Sequence, residues 1–261
     1  MLNGLLGKVL RRRDPGNAPP PPAPRPLFAI GDVHGMAGLL DTMLERIAAR
    51  IAADGLDDAA VILLGDYIDR GPNSRAVIDL LLAAPARLGV ETVFLRGNHE
   101  AFAMRFLDRP DTPSRWLDFG GAETIESYGI DPHDFEATPE GQADLSAALT
   151  EAMGAAHIDF LRDGLVTHFE DWPYFFTHAG IDTRFHAYEQ EPHVLTHGMR
   201  SFRSTGGWPG SMVVHGHYIT DAPDFGPHRL GIDTGAYRSG VLTAAYCHGE
   251  GIEIIEVEGR G

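Results

Sequence analysis

The chain has one cysteine, few positive charges and no long apolar run, and each shortage excludes something. Cys247 stands alone and cannot close an intrachain disulfide, so the fold must rest on packing, and a reducing cytosol is its natural setting. No apolar stretch approaches the roughly 20 residues needed to cross a bilayer, so no transmembrane segment is expected. The 21 Lys and Arg face 37 Asp and Glu, a formal net charge of −16. That balance disfavours nucleic acid and anionic membranes as partners, because both are held by basic surfaces. A phosphate bound by this chain therefore needs a local cationic site. What is present suits an enzyme. With 261 residues, 43% hydrophobic and 22% charged, the chain can build one large core carrying an insertion.

Residues 1–26 read as a leader outside that core. Leu5, Leu6, Val9 and Leu10 with Lys8 and Arg11 to Arg13 make one or two basic amphipathic turns. They are too short for a membrane anchor, and the arginines follow the apolar part, the reverse of a secretory signal. Pro15, Pro19 to Pro22, Pro24 and Pro26 form a proline-rich stretch that fits neither a helix nor a central strand. The expectation is a disordered leader with a stiff spacer, followed by a catalytic domain over 27–258.

From Leu27 onward a short apolar strand, a polar loop and a helix recur three times. Leu27 to Ile30 exits into Gly31-Asp32-Val33-His34-Gly35, ahead of a helix over about 37–53 whose Leu39, Leu40, Met43, Leu44 and Ile47 keep helical spacing. Ala60 to Leu64 exits into Gly65-Asp66-Tyr67-Ile68-Asp69-Arg70-Gly71, ahead of a helix over about 74–84. Val90 to Leu95 exits into Arg96-Gly97-Asn98-His99-Glu100 and a third helix. Such a run predicts parallel strands with all three loops at their carboxyl edge, where ligands bind in open α/β sheets. Residues 108–164 break the rhythm and read as a helical insertion beside the site, with a packed turn region around Trp116, Phe119 and Tyr128. Short strands follow over 165–169, 174–177, 211–214, 228–232, 241–247 and 252–257. These predict a second sheet, mixed or antiparallel, packed face to face on the first with helices outside.

Five strand-exit loops thus carry Asp32 and His34, Asp66 and Asp69, Asn98 and His99, His178, and His215 with His217. Carboxylate, imidazole and amide oxygen without thiolate suit manganese, iron or zinc at a catalytic site. Asp32 and His34, two apart on an extended exit, can reach one ion from the same side. Asp66, on the central strand, has two oxygens with which to bridge two ions. His215 and His217 also share a side, so periodicity leaves both open; Gly216 and the longer reach past the strand end favour His217. The remaining histidines read as packing or surface groups, and Cys247 as core.

Gly31-Asp-Val-His-Gly35, Gly65-Asp-Tyr-Ile-Asp-Arg-Gly71, Gly97-Asn-His-Glu100, His178-Ala-Gly180 and Gly216-His217 resemble the ordered motifs of the calcineurin-like metallophosphoesterases. The second motif is similar to that of the phosphoprotein phosphatase branch, the serine/threonine protein phosphatases and their bacterial and phage relatives. The resemblance covers about residues 27–257. It implies an α/β fold, a four-layer αββα sandwich, around two divalent ions, manganese first, with iron or zinc as the other choices. It also implies Asp32 and His34 on one ion, Asp66 between both, and Asn98, His178 and His217 on the second. His99 takes the role of general acid, Asp69 that of its orienting carboxylate, and Arg70 that of a phosphate clamp. A second clamp falls to Arg200 in Gly198-Met199-Arg200, where the family's tryptophan is absent and Arg203 is the alternative. The implied reaction is in-line attack on phosphorus by a hydroxide shared between the ions, on phosphoserine or phosphothreonine in a protein or on a small phosphoester. The symmetrical diadenosine tetraphosphatases share these motifs and give the alternative reading; Asp69-Arg70 and Glu100 favour the protein phosphatase branch.

Overall fold

The computed structural model describes residues 25–110, 115–249 and 251–259. The leader expected over 1–26 therefore lies, up to residue 24, outside the described residues. In chain order the strands and α-helices are β1 (Leu27–Ile30), α1 (Ala37–Asp54), β2 (Ala60–Leu63), α2 (Ser74–Leu88), β3 (Glu91–Phe94), α3 (Asn98–Asp108), α4 (Gly121–Ser127), α5 (Pro139–Asp163), β4 (His168–Asp171), β5 (Tyr174–Thr177), α6 (Pro192–His197), α7 (Phe202–Thr205), β6 (Met212–His215), β7 (Asp224–Gly226), β8 (Arg229–Gly231), α8 (Ala236–Ser239), β9 (Val241–His248) and β10 (Gly251–Glu258).

They form two five-stranded sheets, ordered β10-β9-β1-β2-β3 and β4-β5-β6-β8-β7. In the first sheet β1, β2 and β3 are parallel, with Ile30 opposite Leu63 and Leu63 opposite Phe94. In the second, β5, β6 and β8 are parallel, flanked by antiparallel β4 and β7. The period-two alternation of side chains sorts each strand between two cores. Ala60, Ile62 and Leu64 point into the core between the sheets, against Phe176, Val214 and Leu230, while Val61 and Leu63 point at the helices. Helix α1 offers Leu40, Met43, Leu44 and Ile47 to that outer core, and α2 offers Val77, Ile78 and Leu81. On the far side Leu195 of α6 and Phe202 of α7 cover Phe175 and Val213. The result is four layers, αββα, with a thin fourth layer.

Three details differ from the sequence pattern. The closing hairpin β9–β10 joins the first sheet, Ile30 pairing with Ala244, rather than the second. Its alternating apolar residues fit either sheet, and the pairing is decided by contacts far apart in sequence. Residues 165–167 do not belong to β4; Val166 bridges Leu95 and extends the edge of the first sheet. Helix α2 runs past Ala84 through Pro85, which sits in its last turn.

The consequence for function is geometric. The parallel strands of both sheets end at one seam, so the loops after β1, β2, β3, β5, β6 and β8 converge there. Cys247 lies at the opposite face of this logic, fully buried in the core between the sheets. Burial pushes its thiol up to about 12, so little reactive thiolate exists at neutral pH. The native protein should therefore leave a disulfide reagent unreacted at pH 8 and release one thiol equivalent only after denaturation; rapid labelling of the folded chain would contradict this packing.

Candidate active site

Asp66 is the hub of the seam. Its Oδ2 lies 3.6 Å from His34 Nε2, 3.4 Å from His178 Nε2 and 3.9 Å from His99 Nε2. Two groups of potential metal ligands share it, His34–Asp66–His99 and Asp66–His178–His217, each with ligand atoms within 4.8 Å of one another. Asn98 joins the second group, with Oδ1 2.8 Å from His217 Nδ1 and 3.2 Å from His178 Nε2.

The donor set fits divalent cations. His34 and His178 each give their Nδ1–H to a main-chain carbonyl, Ile68 at 2.8 Å and Leu64 at 2.9 Å. A carbonyl can only accept, so in the neutral rings Nε2 carries the lone pair and faces Asp66. Burial drives His34 and His217 down to about 3, leaving both as neutral imidazoles at pH 7, the form that binds metal. Burial would raise Asp66, but His178 and His99 outweigh it and hold the carboxylate well below its usual range. Lone pairs on nitrogen and oxygen thus converge around an ionised carboxylate, an arrangement that calls for positive charge at its centre.

A phosphate-sized set of donors adjoins it. Arg70 donates from one guanidinium nitrogen to His34 Nε2 at 2.9 Å and from another to His99 Nε2 at 3.0 Å. Its guanidinium lies 5.0 Å from the ring centre of Tyr237, and a cavity of about 370 Å³ lined by Arg70, Phe119 and Tyr237 among others opens beside it. Behind His99, Nδ1–H donates to Asp69 Oδ2 at 2.6 Å. Trp116 Nε1–H donates to the same oxygen at 2.8 Å and Thr124 to the other at 2.6 Å. Burial lowers His99, yet Asp66 and Asp69 outweigh it and raise the ring's pKa. A proton at Nε2 is therefore within easy reach once Arg70 turns to another acceptor.

The loops that carry these groups are built from unusual backbone. His34, Asp66, Asp69, Arg70 and His217 have φ between 44° and 74°, a region L-residues rarely occupy. Glycine is obligatory where loops touch: a Cβ on Gly97 would lie 2.1 Å from Asp66 Oδ1, and one on Gly216 1.9 Å from Asp32 Oδ1. Glu100 holds the β2 and β3 exits together. Its buried carboxylate accepts N–H from Gly97 and Asp66 at 2.9 Å, from Tyr67 at 2.8 Å and from Ile68 at 3.4 Å, and burial pushes it up to about 7.

Not every expected residue stands in the cluster. Asp32 is buried at its edge, accepting the His217 backbone N–H at 3.0 Å and sharing a hydrogen bond with Asp233. Burial, then Asp233 and Asp66, push it well up. His215 turns away, its Nδ1–H on the carbonyl of Gly216 and its ring against Phe202. Arg200 is exposed ahead of α7 and makes no hydrogen bond or ion pair with the cluster among the described residues. Arg203 pairs with Asp224 at 3.8 Å and lies over Tyr218. Instead His197, at the end of α6, comes edge-on to Phe102 at 5.4 Å and feels the charges of His178 and Asp66. Sequence reading also missed Asp233, Trp116 and Thr124. Asp233 had a signal, since it follows β8 as Asp32 follows β1; the other two act across the fold and had none.

Comparison with known proteins shows the family and the fold. The profile of the calcineurin-like phosphoesterases matches residues 25–220. The chain is 36% identical over 76 residues to the serine/threonine-protein phosphatase BSL2 of Arabidopsis thaliana, a stretch covering 29% of this chain and 8% of that protein. It is 35% identical over 80 residues to the serine/threonine-protein phosphatase PP1-1 of Saccharomyces cerevisiae, covering 31% of this chain and 24% of that protein. These matches span less than a quarter of the relatives' length. Among solved structures, one assigned as a diadenosine tetraphosphatase superposes with a TM-score of 0.59 at 19% identity, over 90% of this chain and 95% of that one. The cold-active protein-tyrosine phosphatase of a psychrophilic Shewanella gives 0.51 at 16%, over 88% and 80%. At these identities the structures share the fold.

Glu100→Ala tests how the loops are held. It removes the acceptor of four buried N–H groups, at about 1–3 kcal/mol for each well-made bond, so the urea midpoint should fall markedly. An unchanged midpoint would mean that Glu100 is not what joins the β2 and β3 exits.

Proposed function

The chain belongs to the calcineurin-like phosphoesterase family, hydrolases of phosphoric esters, and within it we propose a metal-dependent phosphomonoesterase acting on phosphoserine and phosphothreonine in proteins. The observation that carries this reading is the double hydrogen bond of Arg70 to Nε2 of His34 and His99, beside Asp66 and backed by Asp69. It puts the candidate phosphate clamp one hydrogen bond from the candidate proton carrier, with the hub carboxylate of Asp66 within 3.9 Å of both imidazoles.

Asp32, His34 and Asp66 would hold one divalent ion, manganese being our first choice, and Asp66, Asn98, His178 and His217 the other. Such a pair supplies Lewis-acid activation of water and neutralises charge on the phosphoryl oxygens. The rest falls to the chain. Arg70 exchanges its two imidazole acceptors for two phosphate oxygens, a bidentate geometry that guanidinium favours. Its departure frees His99 Nε2 to hold a proton, while Asp69 fixes the ring through Nδ1. His99 then protonates the leaving alkoxide. Trp116 and Thr124 keep Asp69 from turning, which gives the insertion a catalytic purpose. Phe119 and Tyr237 form the walls past which the alcohol leaves. We place the reaction in the cytosol, in keeping with a lone buried thiol.

Phosphopeptides, p-nitrophenyl phosphate and diadenosine tetraphosphate, compared with manganese added, test the substrate class. Fastest turnover of phosphoserine peptides is expected; preferential release of ADP from diadenosine tetraphosphate would move the assignment to the dinucleoside polyphosphate hydrolases. His99→Asn should lower kcat on phosphopeptides by about 10²–10⁴-fold and much less on p-nitrophenyl phosphate, whose leaving group needs little protonation. Equal losses would remove His99 from the acid role.

The two neighbouring histidines separate cleanly. His217→Ala should bind fewer ions per chain by elemental analysis, while His215→Ala keeps both. The opposite pattern would transfer the ligand role to His215.

A further inference from the structure

At the other end of the second sheet lies an aromatic face with no role in the chemistry above. Trp172, in the turn between β4 and β5, is 57% exposed, Phe185 46% and Tyr188 83%. A cavity of about 270 Å³ beside them is lined by Glu170, Phe175, His186, Tyr188 and Trp208 among others. Trp208 packs edge-on to Phe175 at 5.2 Å, and His186 stacks with Tyr188 at 5.8 Å. The Trp172 ring reaches Gly210, two residues beyond Trp208, so turn and cavity form one surface. β5 and β6 begin here and end at the cluster, which places this face a full strand length from the site.

The chain enters the described structure at this same place. Arg25 bonds Asp171 at 2.5 Å and Glu91 at 2.7 Å, and lies 5.7 Å from the ring centre of Phe169. Asp171 immediately precedes Trp172. Directly before Arg25 stand Pro15, Pro19 to Pro22 and Pro24, and before them Lys8 and Arg11 to Arg13. Aromatic-lined grooves bind proline-rich sequence, because flat rings pack on pyrrolidine faces and such segments have little conformational freedom to lose. At about 3.1 Å per residue, the ten residues 15–24 are long enough to cross from Asp171 onto the cavity. Charge is complementary: the leader sequence carries Lys8 and Arg11 to Arg13 against Asp14 alone, and Glu170 and Asp171 border the face.

We propose that this face binds proline-rich sequence and that its occupant is the chain's own segment 15–24. Arg25 is the fixed end of the contact, Trp172 its first ring and the Tyr188–Trp208 cavity its second. The docking is intramolecular and leaves the phosphoesterase site untouched.

The test compares the full chain with one lacking residues 1–24, by tryptophan emission and iodide quenching. Trp116 is buried and contributes a constant background, so changes in emission and in iodide quenching report on Trp172 and Trp208. Loss of the leader is expected to shift emission to the red and increase quenching. A labelled peptide of residues 13–26 should then bind the shortened chain by fluorescence anisotropy, and bind it far more weakly when it carries Trp172→Ala or Tyr188→Ala. If the shortened chain fails to fold, a full chain with Pro19, Pro20, Pro21 and Pro22 each replaced by serine should show the same red shift and extra quenching. Identical quenching with and without the leader or its prolines overturns the proposal, as does peptide binding indifferent to Trp172 and Tyr188. Protection that rises with protein concentration would assign the occupant to a second copy and overturn the intramolecular contact.

Discussion

One buried carboxylate sets the geometry on which the seam depends. Glu100 is fully buried and accepts four main-chain N–H groups from two different loops. Asp66, one of those donors, is held at φ 52°, a conformation that costs on the order of 1–3 kcal/mol. A hydrogen bond to a charged group contributes roughly 1.5–3 kcal/mol, so the three short ones among these four can offset the strain in Asp66 and its neighbours. The strained backbone is what turns the Asp66 side chain from the strand direction into the seam. Were Glu100 absent, the loop could relax and the hub carboxylate would swing away from its imidazoles. The charge that does this is itself expensive: burial lifts Glu100 to about 7 although the N–H groups favour its ionised form.

Strain is not spread evenly. Six non-glycine residues among those described have positive φ, and all but His228 belong to the cluster. Strands alone would send their side chains alternately to the two cores; left-handed residues within the strand-exit loops break that alternation and let successive loops aim at a common point. The price in close contact falls on glycine, at Gly97 against Asp66 and at Gly216 against Asp32. The motif glycines are therefore clearance for the Asp66 and Asp32 side chains as much as turn formers.

Much of this was legible from local pattern. The three strand–loop–helix units fixed which residues would meet, because parallel strands necessarily bring their exits to one edge. Reach along the chain, Gly216 and the family resemblance favoured His217 over His215 as a ligand; in the structure His217 lies against Asn98 and His178 while His215 packs on Phe202. What was not legible depends on partners distant in sequence. The β9–β10 hairpin carries no local sign of which sheet it will join. Trp116 and Thr124 hold Asp69 from 47 and 55 residues away. Arg200 looked like a clamp by its place in the order of motifs, yet the short loop before α7 turns it to solvent and presents His197 instead.

Electrostatics closes the argument for cations in the seam. Around the cluster Asp32, Asp66, Asp69, Glu100 and Asp233 are buried, and Arg70 is the guanidinium that reaches its imidazoles. Asp32 and Asp233 are both pushed up by burial and by neighbouring carboxylates, so a shared proton relieves part of the repulsion, but Asp66 stays ionised. The protein's net charge of −16 acts weakly here, since at about 0.1 M salt exposed charges are screened beyond about 10 Å. The local balance decides, and without divalent ions it opposes a phosphate dianion. Arg70 alone cannot reverse that balance, because a single guanidinium faces several carboxylates at similar range. The carboxylates that favour positive charge and the phosphate clamp proposed for Arg70 thus share one requirement, and both centre on Asp66.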